Sequence, residues 1–189
     1  MAISHESVYF SVSDCKIYPL ITDVASASPT YGTGVDVPGI SDFSFEPGIV
    51  SAEIKGDGRI VAKKGYTDRF SLNATYSKMS SDVLKVILGG STTADTGVTP
   101  NQVSTYGMTN ANNGLPLFKV AVQIDELDVG LGSATFTFYK CQLTGGSLLS
   151  QSQDGFGAPT FTADAFQPES ATTNIFQMQV FETATALPA

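Results

Sequence analysis

Residues 51–90 read SAEIKGDGRIVAKKGYTDRFSLNATYSKMSSDVLKVILGG, and their reading decides the fold class. A strand over residues 49–55 leads into Gly56-Asp57-Gly58, whose residue types favour a tight turn. Extended structure resumes over 59–62, and Lys63-Lys64-Gly65 predicts a polar tip. From Arg69 onward the alternation is clean. Phe70, Leu72, Ala74 and Tyr76 share one face, while Arg69, Ser71, Asn73 and Thr75 share the other. Such a strand lies half buried. A helix follows over residues 80–88. Ser80 or Ser81 can cap it, Asp82 suits its first turn, and Val83, Leu84, Ile87 and Leu88 form an apolar stripe. Gly89-Gly90 supplies the left-handed stop. Too short to be stable alone, this helix needs a sheet to lie on, covering an edge or an open end.

Outside this stretch the chain reads almost wholly as strands and loops. VYFSV and CKIYPLI flank a polar break at Ser13-Asp14, and Phe43 and Phe45 lie on a strand that EPG at 46–48 ends. Residues 23–39 and 91–115 are small, polar and Gly-rich, and predict loops or an arm, with a short strand near 102–108. Phe118, Val120, Val122 and Ile124 alternate with Lys119, Ala121, Gln123 and Asp125. Residues 133–143 pair with that strand through a turn at 128–132. Residues 151–159 predict a loop, 160–166 and 174–182 two last strands, and TATALPA a mobile tail or one docked on a neighbour. The pattern predicts one mainly β domain over residues 1–189: an antiparallel β-sandwich or barrel with one short flanking helix and long loops.

Composition narrows the function. The 189 residues are 42% hydrophobic and only 15% charged, against about 25% charged in an average soluble domain. A surface short of charge is easier to bury against neighbours. The net charge of −8 disfavours sequence-reading of DNA and binding to an anionic membrane. No apolar run approaches the ~20 residues that span a bilayer, and MAISHESVYF lacks the pattern of a signal peptide, so synthesis in the cytosol is expected. Cys15 and Cys141 lie in strand-like runs and predict two reduced, partly buried thiols, with a long-range disulfide the minor reading.

Catalytic chemistry finds little support. His5 is the only histidine, so the usual base for a Ser or Cys nucleophile is missing. Asp125, Glu126 and Asp128 do not have the spacing of an EF-hand calcium loop. The Gly-x-Gly pairs at Gly32/Gly34 and Gly130/Gly132 open no helix after a strand. Phe43, Phe45, Phe70, Phe118, Phe136 and Phe138 are read as core or inter-subunit packing. No cofactor and no metal site are expected.

The strand into GDG at 56–58, RFSLNATYS at 69–77 and DVLKVILGG at 82–90 together resemble the major tail tube proteins of long-tailed, siphovirus-type bacteriophages. FGAPTFTADAF at 156–166 and NIFQMQVFET at 174–183 are similar to that family's C-terminal part. The resemblance implies a tail-tube fold, no enzymatic activity, and a structural virion protein made in the host cytoplasm. It implies that six copies form a ring and that rings stack around a tape-measure protein into a tube that DNA traverses without specific binding. Tail terminator and distal tail proteins are the further partners it implies. Four strands per copy give 24 strands and a backbone diameter of about 37–48 Å. At −8 per copy, six copies carry about −48, some of it facing the bore as a wall that phosphates do not stick to. Glu53, Asp57, Asp125 and Glu126 are the candidate bore-facing acids.

A long loop reaching the next ring is also implied. The candidates are residues 23–39, with Tyr31, Val35 and Val37, and residues 60–68, with Lys63, Lys64 and Tyr66. Arg69 joins Lys63 and Lys64 in a small basic spot suited to a salt bridge with an acidic neighbour. Losing either segment is expected to leave a folded monomer that cannot polymerise. The tube of a contractile tail or of a type VI secretion machine is the close alternative. A carbohydrate-binding or adhesin-type module is the alternative from another class, weakened by the absence of Trp.

Overall fold

The computed structural model describes residues 9–57, 59–78, 80–108, 114–126, 132–149, 157–170 and 172–188. His5, Asp128, Gly130, the turn at 128–132 and most of the loop at 151–159 fall wholly or largely outside them. In chain order the described elements are β1 (Tyr9–Val24), β2 (Ala27–Tyr31), β3 (Val35–Asp36), β4 (Ile40–Gly56), β5 (Arg59–Tyr76), α1 (Ser81–Leu88), β6 (Ser91–Thr96), β7 (Val103–Gly107), β8 (Leu117–Glu126), β9 (Ser133–Gly145), β10 (Thr160–Ala165) and β11 (Phe176–Phe181). The fold is mainly β, and every strand pairing is antiparallel.

The main sheet runs β2-β1-β8-β9-β10-β5-β4, with β3 also on β1 and β11 also on β9. Strand β9 is the hub. One edge meets β8, while the other is shared end to end by β11, on Ser133–Phe138, and β10, on Cys141–Gly145. The sheet does not close into a barrel: β2 and β4 end the order and are not joined to each other.

It does fold over on itself. Phe45 of β4 lies three strands from β9 in the sheet, yet its ring sits 5.3 Å from Phe138 of β9 and 5.4 Å from Phe176 of β11. Phe43, Phe70 and Phe136 complete this cluster. Behind it, Leu72, Ala74 and Tyr76 of β5 and Phe118, Val120 and Val122 of β8 are buried, as their alternation predicts. Helix α1 joins the same core through Val83, Val86 and Ile87. Ser80 stands at its N-cap position but makes no side-chain capping bond. Gly89 takes φ +82° and donates its N–H to the Lys85 carbonyl, which ends the helix as read.

Four expectations are corrected. The break at Ser13-Asp14 is a bulge inside a continuous β1, with the register slipping between Val12 and Asp14. Pro47-Gly48 does not end β4: both residues stay in register with Phe70 and Arg69. Proline is tolerated there because β4 is an edge strand whose outer side has no ladder to break. Lys63-Lys64-Gly65 is therefore no tip but mid-strand, opposite Glu53, Ala52 and Ser51. The low-charge segment after α1 holds a strand pair, β6 and β7, of which only β7 was expected.

The segment 23–39 is likewise not an arm. Strands β2 and β3 pair back onto β1, and Val37 is buried in the core with Val35 packed against it. The Tyr31 hydroxyl donates to the Tyr139 carbonyl at 2.8 Å. Gly34 passes so close to Tyr18 that a Cβ would lie 2.6 Å from its ring. Tyr31, Val35 and Val37 are thus internal packing residues, and removing 23–39 would damage the monomer itself. The C-terminal tail docks on its own chain: Leu187 is buried against Tyr18 and Ala121, and Lys16 Nζ and Tyr18 OH donate to the Leu187 and Pro188 carbonyls.

Candidate assembly surface

Strands β4 and β5 stay paired far beyond the body, from Ile40 opposite Tyr76 to Gly56 opposite Arg59. Among the residues whose side chains are described, all those in 49–69 are exposed. The projecting part, residues 49–56 of β4, is about 26 Å long at ~3.3 Å per residue. Asp57 occupies the turn with φ +51°, a backbone conformation that Asp tolerates better than most residues.

The hairpin has two unlike faces. Val50 faces Tyr66, Ala52 faces Lys64, and Ile54 faces Ala62 on one side. Ile49 faces Thr67, Ser51 faces Gly65, and Glu53 faces Lys63 on the other, the last pair bridged at 3.0 Å. Ile49, Val50, Ile54, Ile60, Val61 and Tyr66 are all strongly exposed, Ile54 at 66% and Val61 at 67%. Burying all six against a partner would yield on the order of 5–10 kcal/mol of gross hydrophobic gain. Scattered exposed apolar residues are ordinary, but six lie on this one 21-residue projection.

Charge separates the hairpin from the body. Residues 49–69 hold five of the ten Lys and Arg residues and three of the 18 Asp and Glu, which is +2; the other five basic and 15 acidic residues leave −10 elsewhere. The outer edge of β4, unpaired along its length among the described residues, offers backbone donors and acceptors to another strand.

The candidate bore-facing acids do not gather in one place. Glu53 and Asp57 lie on the hairpin, the first already paired with Lys63. Asp125 and Glu126 end β8, opposite Ser11 and Tyr9 of β1. Lys63, Lys64, Tyr66 and Arg69 are exposed on the hairpin, as an assembly role requires. Arg69 lies 3.6 Å from Asp164 of its own chain, which in turn accepts from Ser71 Oγ. Two of the three basic residues thus find their acid within the chain.

One charged cluster escaped the sequence reading. Asp23, at the end of β1, meets Lys140 of β9 at 2.6 Å, with both side chains nearly buried. Asp23 also accepts the backbone N–H of Glu169, and Lys140 lies over the Phe166 ring. The only local sign is a lysine inside the strand run FTFYKCQL. Burial alone would raise the Asp23 carboxyl, but the hydrogen bond and charge of Lys140 and the backbone N–H groups hold it below its usual value of 3.8. Its stabilising contribution is complete above pH ~4 and is lost as pH falls through the lower folded value. Asp14 opposes it: burial and the neighbouring Asp36 carboxyl raise it, so acidification relieves that site. Comparing wild type with Asp23→Asn in melts from pH 7 to 2.5 separates the two. Asp23→Asn should lose about 2 kcal/mol at neutral pH and show a shallower loss below pH 4. Parallel acid limbs would contradict the assignment.

Cys15 and Cys141 are free and fully buried, and burial pushes both thiols far up, Cys15 further through Asp14 and Asp36. Neither has the thiolate character of a nucleophile. Among the described residues no group of three or more His, Cys, Asp or Glu is placed to hold a metal ion, and no helix is long and apolar enough to cross a membrane. The sequence matches no protein-family model and no characterised protein sequence.

Proposed function

We propose that this chain is a self-assembling structural subunit of a hollow tube, of the kind its resemblance to the major tail tube proteins of long-tailed bacteriophages implies. Copies join side by side into rings through sheet edges and loops, rings stack, and DNA passes through the bore. The observation that carries this reading is the 49–69 hairpin: long, exposed on both faces, apolar and basic, on an otherwise acidic body whose sheet is left open. A monomeric protein gains nothing from such a projection and risks aggregation by it. In an assembly the same surface is buried, and the acid excess of the body is available to line a bore that repels phosphate.

Negative-stain imaging of purified protein at rising concentration tests the reading. Annuli or hollow filaments are expected, with a bore wide enough for a duplex. Solitary particles at every concentration, confirmed by sedimentation, would end it.

A further inference from the structure

We infer that the more apolar face of the hairpin docks in a specific groove on a second copy of this chain; the inference rests on the reading of the hairpin as an assembly arm. The groove lies between the end of β1 and the entry to β8 and has a volume of about 480 Å³. Ile21, exposed at 65%, Leu115 at 39% and Pro116 form its apolar walls. Lys140 reaches it too, but that ammonium is matched by Asp23 at 2.6 Å. Glu169, 61% exposed at the rim, shares that ammonium only at 4.0 Å, so its carboxylate is only partly compensated.

The arm presents the complement. Val50, Ile54, Ala62 and Tyr66 supply an apolar strip, and Lys64 stands within it opposite Ala52. Unlike Lys63, Lys64 has no carboxylate within salt-bridge distance among the described residues. The net +2 of the arm against −10 for the body makes a second copy the favoured occupant. One ribbon face ~26 Å long and ~10 Å wide covers only about 260 Å², well short of the ~800 Å² per partner of a stable pair. Each contact alone is weak, so it holds only when many are made together.

A charge swap tests this. Lys64→Glu and Glu169→Lys should each raise the concentration needed for assembly by about tenfold, and the double variant should restore it to within about threefold. Added salt should weaken wild-type assembly. Circular dichroism and melting check that each variant folds. A second measurement does not depend on the swap. Copies carrying Ile54→Cys are mixed with copies carrying Leu115→Cys and oxidised, the native thiols being buried. Covalent dimers between the two kinds support the groove. If wild type assembles but neither rescue nor mixed dimers occur, the groove is wrong and the tube reading stands; arm loss without rescue is also what a nucleic-acid contact would give. If wild type never assembles, the tube reading itself falls.

Discussion

Replacing residues 50–66 with an Asn-Gly turn should leave a folded monomer and abolish assembly. The cut is placed where the ladder permits it. Ile49 and Thr67 face each other, so a two-residue turn between them closes a shorter hairpin in the same register. Among the described residues, none of those removed contributes a buried side chain to the core. Thermal stability should therefore stay within a few degrees of wild type. What goes is the apolar surface of Val50, Ile54, Ile60, Val61 and Tyr66, the whole net +2 of the arm, and seven of the 17 residues of the β4 edge. Sedimentation should show a monomer at concentrations where wild type gives filaments. Tubes formed normally by the shortened protein would remove the main support for the proposed function. Excising residues 23–39 is no substitute. That deletion takes Val37 from the core and breaks the Asp23–Lys140 pair, so failure to assemble would only report unfolding.

The largest effect on stability should come from Phe138→Ala. Phe138 is fully buried, and its ring lies 5.0 Å from Phe176, 5.3 Å from Phe45, 6.0 Å from Phe70 and 6.1 Å from Phe43. These rings come from four strands, so one truncation loosens the contact that holds β4 and β5 over β9 and β11. A cavity in such a site costs about 3–5 kcal/mol, a large share of a total stability of about 5–15 kcal/mol. Urea unfolding should show the midpoint falling with little change in slope, and the melting temperature should drop by about 10 °C or more. Phe136→Ala is the comparison. That ring is half-buried at the edge of the cluster, stacked on Phe176 at 6.0 Å, and should cost clearly less. Equal losses at both positions would mean that the fold-over does not depend on Phe138.

Period-two alternation made β5, β8 and β9 legible in the sequence, because a half-buried strand must alternate. The helix was legible too, through its stripe and its glycine stop. The length of the hairpin was not. Pro47-Gly48 and Lys63-Lys64-Gly65 carry the local chemistry of a strand end and a tip, yet both lie inside strands, since an edge strand tolerates proline and a solvated ribbon tolerates lysine. Residues 23–39 misled for the opposite reason: small polar residues read as loop, but Gly34 lets the chain pass over Tyr18 and Val37 reaches the core.

By itself, the sequence determined the strand-rich class, the single short helix and its ends, and an acid excess with five of ten basic residues inside residues 49–69. These follow from local alternation, capping and counting, which need no partner. Only the tertiary structure decided which segment projects, that the sheet stays open, and that Asp23 meets Lys140 across 117 positions of chain. Those outcomes depend on which strand edges find a neighbour, and the burial and charge balance of a residue are set by whatever distant chain comes to lie against it.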